Sequence, residues 1–190
     1  MALLFYQYPE TIPLVKELVI MGGKLNGWEF NFVNDPAATE FVLSLPIPTL
    51  ICGLEVCTAQ KFTIDHYNML RHFRTPRTDY RIPGIWGWLV LNRITSTTTK
   101  QVGFFPFDPT VIAYLVQPSL FHSVRLTAHH SIPKMVLPFA LPFRVDCRTY
   151  IPRTDWDSGR AAAQNQTWVR WTLKINSAAF MELLLQRLVK

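Results

Sequence analysis

ELVIMGGKLNGWEFNFVNDPAATEFVLSLPIPTLICGLE, running from Glu17 to Glu55, is the stretch that decides the fold. Its apolar run Leu18-Val19-Ile20-Met21 stops at Gly22-Gly23, and a short polar loop leads to Glu29-Phe30-Asn31. Asp35-Pro36 then opens a helix. An aspartate at the N-cap accepts a hydrogen bond from the first turn, and proline is pre-set for the first helical position. The helix is expected to run to about Leu45, before Pro46, and a second apolar strand covers Thr49 to Leu54. Strand, glycine turn, helix and strand in this order predict a βαβ unit of a parallel sheet. In such sheets binding groups collect beyond the carboxyl ends of the strands.

Composition sets the outer limits. With 190 residues, 49% of them hydrophobic, the chain can bury a real core, and its length predicts one domain over 1–190. No apolar run approaches the roughly 18 residues of a membrane span. The N-terminus MALLFYQYPE has no basic leader before its apolar stretch, which argues against a signal peptide. Cys52, Cys57 and Cys147 lie in apolar surroundings and cannot all pair, so buried thiols in a reducing cytoplasm are the expectation. The net charge of +6 is densest from His66 to Arg74, continuing to Arg77 and Arg81. At helical spacing Arg71 and Arg74 share a solvated side, with Leu70 and Phe73 opposite. No recognition motif accompanies this patch, so nucleic acid is not expected as a partner.

Elsewhere the pattern predicts helices over Ala2 to Tyr8, Ile64 to Arg74, Pro83 to Leu91 and Thr110 to Val116, the last after an Asp108-Pro109 pair that repeats the Asp-Pro start with Asp108 as its cap. Trp168 to Ile175 alternates as a strand, and Ser177 is placed as the cap of a final helix, Ala178 to Val189. Prolines 133, 138 and 142 make Val124 to Arg148 an edge or an insertion rather than a central strand. Pro152 to Gln166 reads as a loop.

The Glu17–Glu55 stretch closely resembles one region of the inosine/uridine-type nucleoside hydrolases. In that family a strand ending in MGG is followed by a loop, an EFN ribose-binding tripeptide, a VDPEAA-like helix start and a GL-containing strand. GFFPFDPTVIAYLVQPSLF, Gly103 to Phe121, is similar to the family's HDP-x-AVAYLLDPSLF helix, and FMELLLQRL to its closing helix. Asp157 to Arg160 falls where the family has its TRG turn. The resemblance implies an α/β fold: a Rossmann-like, mainly parallel sheet flanked by helices, of nucleoside hydrolase type and lacking the N-terminal strands. The chain maps onto the C-terminal part of the longer family fold.

The same resemblance implies a chemistry, hydrolysis of the N-glycosidic bond of ribonucleosides. Family members are described as using one calcium ion that binds both the attacking water and the ribose diol. Asp108 matches a late aspartate among its ligands. Glu29 and Asn31 match ribose-hydroxyl partners, and Asn26 matches a further ribose contact in a loop shorter than the family's. Departures are equally specific. No DTDxGxDD-like aspartate cluster and no GPLTN turn occurs in the sequence. Calcium takes six to eight oxygen ligands, more than Asp108 and Glu29 can supply. The histidine that acts as leaving-group acid in part of the family is Phe107 here, which would line the base pocket instead. His66, His72, His129 and His130 show no spacing that replaces it.

Two readings follow. In one, the chain is part of a nucleoside hydrolase, inactive alone, whose metal-binding half comes from an N-terminal half chain. In the other, it is a non-catalytic scaffold that binds a ribosyl ligand or makes homo-oligomer contacts.

Overall fold

The computed structural model describes residues 1–25, 27, 29–73, 75–95, 103–128 and 167–190. They group into two compact units. The first is formed by Met1–Glu55 with Ser123–Leu173, the second by Val56–His122 with Lys174–Lys190.

The first unit holds the sheet. After helix α1 (Ala2–Gln7) and a 3₁₀ turn (Pro9–Leu14) comes strand β1 (Leu18–Met21), then helices α2 (Phe30–Asn34) and α3 (Pro36–Ser44) and strand β2 (Thr49–Cys52). β1 and β2 pair in parallel from Leu18 opposite Thr49 to Met21 opposite Cys52. The predicted βαβ unit is therefore present. Asp35 caps α3 as read, its carboxylate accepting the Ala38 N–H at 3.0 Å with Pro36 in the first turn. In the four-stranded order β1-β2-β6-β5, β6 (Thr167–Ile175) lies parallel to β2, and β5 (Phe121–Ala128) is at the far edge. Among the described residues β5 is an edge strand, and the remainder of the Val124 to Arg148 stretch expected as an edge or insertion, with its three prolines, lies outside the described residues.

A buried parallel strand reads as a continuous apolar run because both faces are covered. β2 shows this, since all four of its residues are buried. It ends at Cys52 rather than at Leu54, and Leu54 instead begins the one-turn helix α4 (Leu54–Cys57). The reason is local. The Leu54 N–H donates to the Gly23 carbonyl at 2.9 Å, and Gly53 is crowded on its open side by Trp171 and Glu55. The core of this unit packs Phe32, Leu43, Ile51, Val169 and Trp171 together.

The second unit is mainly helical. Strand β3 (Phe62–Thr63) pairs antiparallel with β4 (Gly103–Phe104), beside helices α5 (Ile64–His72), α6 (Pro76–Thr95), α7 (Phe107–Val116) and α8 (Ser177–Val189). Phe62, Tyr67, Leu70, Leu89, Ala113, Leu120, Phe180 and Met181 form its core.

Three helix starts differ from the sequence reading. α6 begins at Pro76, not Pro83. Thr75 and Thr78 cap each other there: the Thr75 N–H donates to Thr78 Oγ1 at 2.7 Å and the Thr78 N–H to Thr75 Oγ1 at 3.2 Å. Asn176 caps α8 in place of Ser177, because its side-chain oxygen accepts the Ala179 N–H while the Ser177 hydroxyl donates to the Ala59 carbonyl. α7 starts at Phe107 with Pro106 at its N-cap, so Asp108 lies inside the first turn and caps nothing.

In α5, Leu70 is buried as expected, but Phe73 follows the helix as its C-cap and is 56% exposed. Arg71 lies over the Tyr67 ring at 6.0 Å, and Arg81 Nη1 donates to the Leu188 carbonyl at 2.9 Å. These two members of the basic patch make contacts within their own unit. Arg74 lies outside the described residues.

Candidate functional site

The carboxyl end of β1 is built on two glycines. Gly23 has φ +74°, a left-handed conformation that glycine adopts without penalty. A Cβ there would lie 2.8 Å from the Trp171 ring, and one on Gly22 would lie 2.5 Å from the Phe32 ring. The two aromatic rings reach the backbone only because both positions lack side chains.

Glu29 follows the loop and is 4% exposed. Its carboxylate accepts three backbone N–H groups, from Gly23 at 2.8 Å, Asn31 at 2.8 Å and Phe32 at 3.2 Å. It therefore caps α2 and closes the glycine loop at once. An ionised acceptor with several backbone donors is among the stronger protein hydrogen-bonding arrangements. Asn31 is exposed at the start of α2, with Nδ2 3.1 Å from Met21 Sδ and 3.4 Å from the Met21 carbonyl. The structure thus brings Glu29 and Asn31 together at the end of β1, where a parallel sheet binds its ligands. Asn26 lies outside the described residues.

Glu55 is a residue that the sequence reading passed over. One of its carboxylate oxygens accepts the Leu25 N–H at 2.7 Å, across the mouth of the same loop. The available signal was an acid two residues beyond Gly53 at a second strand's end, which is too common a pattern to point anywhere by itself.

Phe107 and Asp108 belong to the second unit. Phe107 is partly buried, its ring centroid 6.0 Å from that of Phe105. Asp108 is exposed, and its side chain makes no hydrogen bond or ion pair with a described residue. Among the described residues no three of His, Cys, Asp and Glu gather as metal ligands would. Calcium needs many oxygens around one point. The described residues by themselves therefore do not fit it.

Neither described histidine of the second unit's α5 is disposed as a spare acid. His66 Nδ1 accepts the Thr63 N–H at 3.0 Å in the capping box of α5, and His72 Nδ1 lies 2.8 Å from the Asn68 carbonyl. Burial pushes His66 below its usual range, against a smaller opposing pull from Asp65. A lowered folded value means that the unfolded chain binds the proton more readily. The stability tied to neutral His66 is then complete above about pH 6.5 and is lost as pH falls through the folded value. His66→Ala is expected to cost about 1 kcal/mol at pH 8 and to flatten the fall in stability below pH 6.5. Equal slopes in denaturation curves of both proteins between pH 7.5 and 5.5 would refute this.

Burial also pushes the Cys52 thiol up to about 11, only partly offset by a hydrogen bond with Thr172. A buried thiol held protonated in this way is a poor nucleophile. Cys57 is buried as well, and Cys147 lies outside the described residues.

Comparisons with known proteins agree with this architecture. The family model described as inosine-uridine preferring nucleoside hydrolase matches residues 1–182. The pyrimidine-specific ribonucleoside hydrolase RihA of Escherichia coli is 30% identical over 141 residues, covering 65% of this chain and 41% of that protein. The non-specific ribonucleoside hydrolase RihC of the same organism is 32% identical over 126 residues, covering 63% and 39%. A plant nucleoside hydrolase, PpNRh1, superposes with a TM-score of 0.79 at 15% identity over 99% of this chain and 58% of its own. A purine-preferring ribonucleoside hydrolase from Gardnerella vaginalis gives 0.75 at 17% identity, over 99% and 56%. The chain thus spans about two-fifths of the length of the curated relatives it matches. With the family's strand, glycine pair and EFN tripeptide in place across a match of this extent, the chain belongs to the inosine-uridine preferring nucleoside hydrolase family.

Proposed function

We propose that this chain supplies the ribose-recognition part of an N-ribosyl hydrolase acting on ribonucleosides. The carrying observation is the Glu29-Phe30-Asn31 turn, whose buried carboxylate ties it to the Gly23 amide at the end of β1 and caps α2 through the Asn31 and Phe32 amides. Asn31 offers an exposed amide there, able to donate to and accept from a sugar hydroxyl. Phe30 beside it is 70% exposed and offers an apolar face. The metal that nucleoside hydrolysis uses in this family would need ligands beyond the described residues, and an N-terminal partner segment is the source we infer. Among the described residues β1 is the edge strand of its sheet, which leaves one side for a further strand. The burial of the Cys52 and Cys57 thiols favours the cytoplasm as the compartment. No helix of the described residues is long and apolar enough to cross a membrane.

The non-catalytic alternative, a ribosyl-ligand-binding scaffold, is favoured by Phe107, which cannot donate a proton to a leaving base. Asn31→Ala separates ribose recognition from stability, because Asn31 is exposed whereas Glu29 is buried. Binding of inosine and uridine by calorimetry is expected to weaken about tenfold, the value of one good hydrogen bond, with the melting temperature unchanged. Wild-type protein that binds neither nucleoside, or a variant that binds both as well as wild type, would count against ribose recognition here.

A further inference from the structure

We propose that Glu55 is a positioning residue, which fixes Leu25 after the glycine pair and through it the Glu29-Phe30-Asn31 turn. The inference rests on the ribose-recognition reading for its functional consequence and on geometry alone for its structural part. Glu55 follows the end of β2, and its Oε1 accepts the Leu25 N–H from the middle of the loop after β1 at 2.7 Å. The two strand ends are also tied by the Gly22 N–H to the Cys52 carbonyl at 3.3 Å and the Leu54 N–H to the Gly23 carbonyl at 2.9 Å. Those contacts hold only the first two loop residues. Glu29 closes the far end on the Gly23 amide. Between these anchors the Glu55 carboxylate hydrogen-bonds the backbone of Leu25, whose side chain packs against the core around Phe32 and Trp171.

The other oxygen of Glu55 makes this more than a chance surface contact. Oε2 is buried and has no hydrogen-bond partner among the described residues, and the same holds for Nε1 of Trp171, which is 0% exposed. Oε2 and the indole ring both crowd Gly53. A Cβ built there would meet Oε2 at 2.7 Å, and Cε2 of the indole, the ring atom bonded to Nε1, at 2.9 Å. One group is a pure acceptor and the other a pure donor. A buried polar atom without a partner is costly. Both approach the backbone only because position 53 carries no side chain, so Glu55 holds the loop through one oxygen and packs against Gly53 through the other.

Hydrogen exchange in the full chain tests this independently of any activity. In Glu55→Ala the Leu25 amide is expected to exchange at least tenfold faster, in line with the loss of a hydrogen bond to a charged acceptor. The Leu50 and Ile51 amides of β2 should keep their protection. Glu55→Gln retains an acceptor oxygen, so Leu25 protection should largely return, whereas Glu55→Met, of similar size but without an acceptor, should leave Leu25 unprotected, which a merely space-filling role would not produce. Inosine affinity should fall in Glu55→Ala and recover in Glu55→Gln. An unchanged Leu25 rate in Glu55→Ala overturns the proposal. If Glu55→Ala does not fold, a Glu55→Gln protein with a wild-type fold and an unprotected Leu25 overturns it equally. A faster Leu25 amide in a protein whose wild type binds no nucleoside supports the positioning role and rejects the ribose reading instead.

Discussion

Trp171→Ala is expected to destabilise the protein by about 3–5 kcal/mol, the usual range for emptying a fully buried tryptophan site. Trp171 is 0% exposed, sits opposite Ile51 in the β2–β6 pairing, and packs with Phe32, Leu43 and Val169. Its ring also closes on two backbones at once, since a Cβ on Gly53 would meet Cζ2 at 2.5 Å and one on Gly23 would meet Cη2 at 2.8 Å. Gly53→Ala should therefore cost about 1–3 kcal/mol by overpacking. The indole cannot swing away without disturbing the sheet core. The two effects must be coupled: in a Trp171→Phe background the smaller ring leaves space, and Gly53→Ala should cost clearly less than it does beside tryptophan. Urea unfolding of the wild type, the three variants of this cycle and Trp171→Ala measures this directly. Additive costs, or a Trp171→Ala loss below 1 kcal/mol, would show that the ring is not the keystone of this sheet.

Glycines and caps explain how much of this was legible in the sequence. MGG marked the end of β1 because only glycine tolerates both the φ of +74° at Gly23 and the approach of two aromatic rings. Asp35-Pro36 marked α3 because a capping carboxylate and a pre-set proline act within three residues. Such signals are local, so sequence carries them. The start of α6 was missed because Thr75 and Thr78 make an unadvertised reciprocal cap, whereas Pro83 looked like a first-turn proline. Ser177 and Asn176 are both good N-cap residues. The choice between them fell to a contact with the distant Ala59 carbonyl, which no local pattern reveals. The site divides in the same way. Glu29 and Asn31 were singled out by an ordered tripeptide. Glu55 and Trp171 meet across more than a hundred residues of sequence, and only the folded sheet brings them to Gly53. Asp108 illustrates the opposite error, since a familiar Asp-Pro pair suggested a cap that Pro106 displaced.

No detectable release of base from inosine or uridine is expected from the 190-residue chain assayed alone with calcium. Enzymes lower barriers by many kcal/mol. The described residues offer neither a gathered set of metal ligands nor a proton donor at Phe107. Phe107→His alone should change nothing, because general-acid help is worth roughly 10²- to 10⁴-fold on a reaction that other groups already carry. The decisive comparison adds an N-terminal segment bearing the family's aspartate cluster as a separate chain. Base release appearing with that segment, and rising further in its presence on Phe107→His, would establish a divided hydrolase. Association without release, with nucleoside binding retained, would favour the non-catalytic scaffold. Calcium-dependent release by the chain alone, abolished by Asp108→Ala, would overturn the prediction, since an exposed aspartate with no partner among the described residues would then be working with ligands outside them.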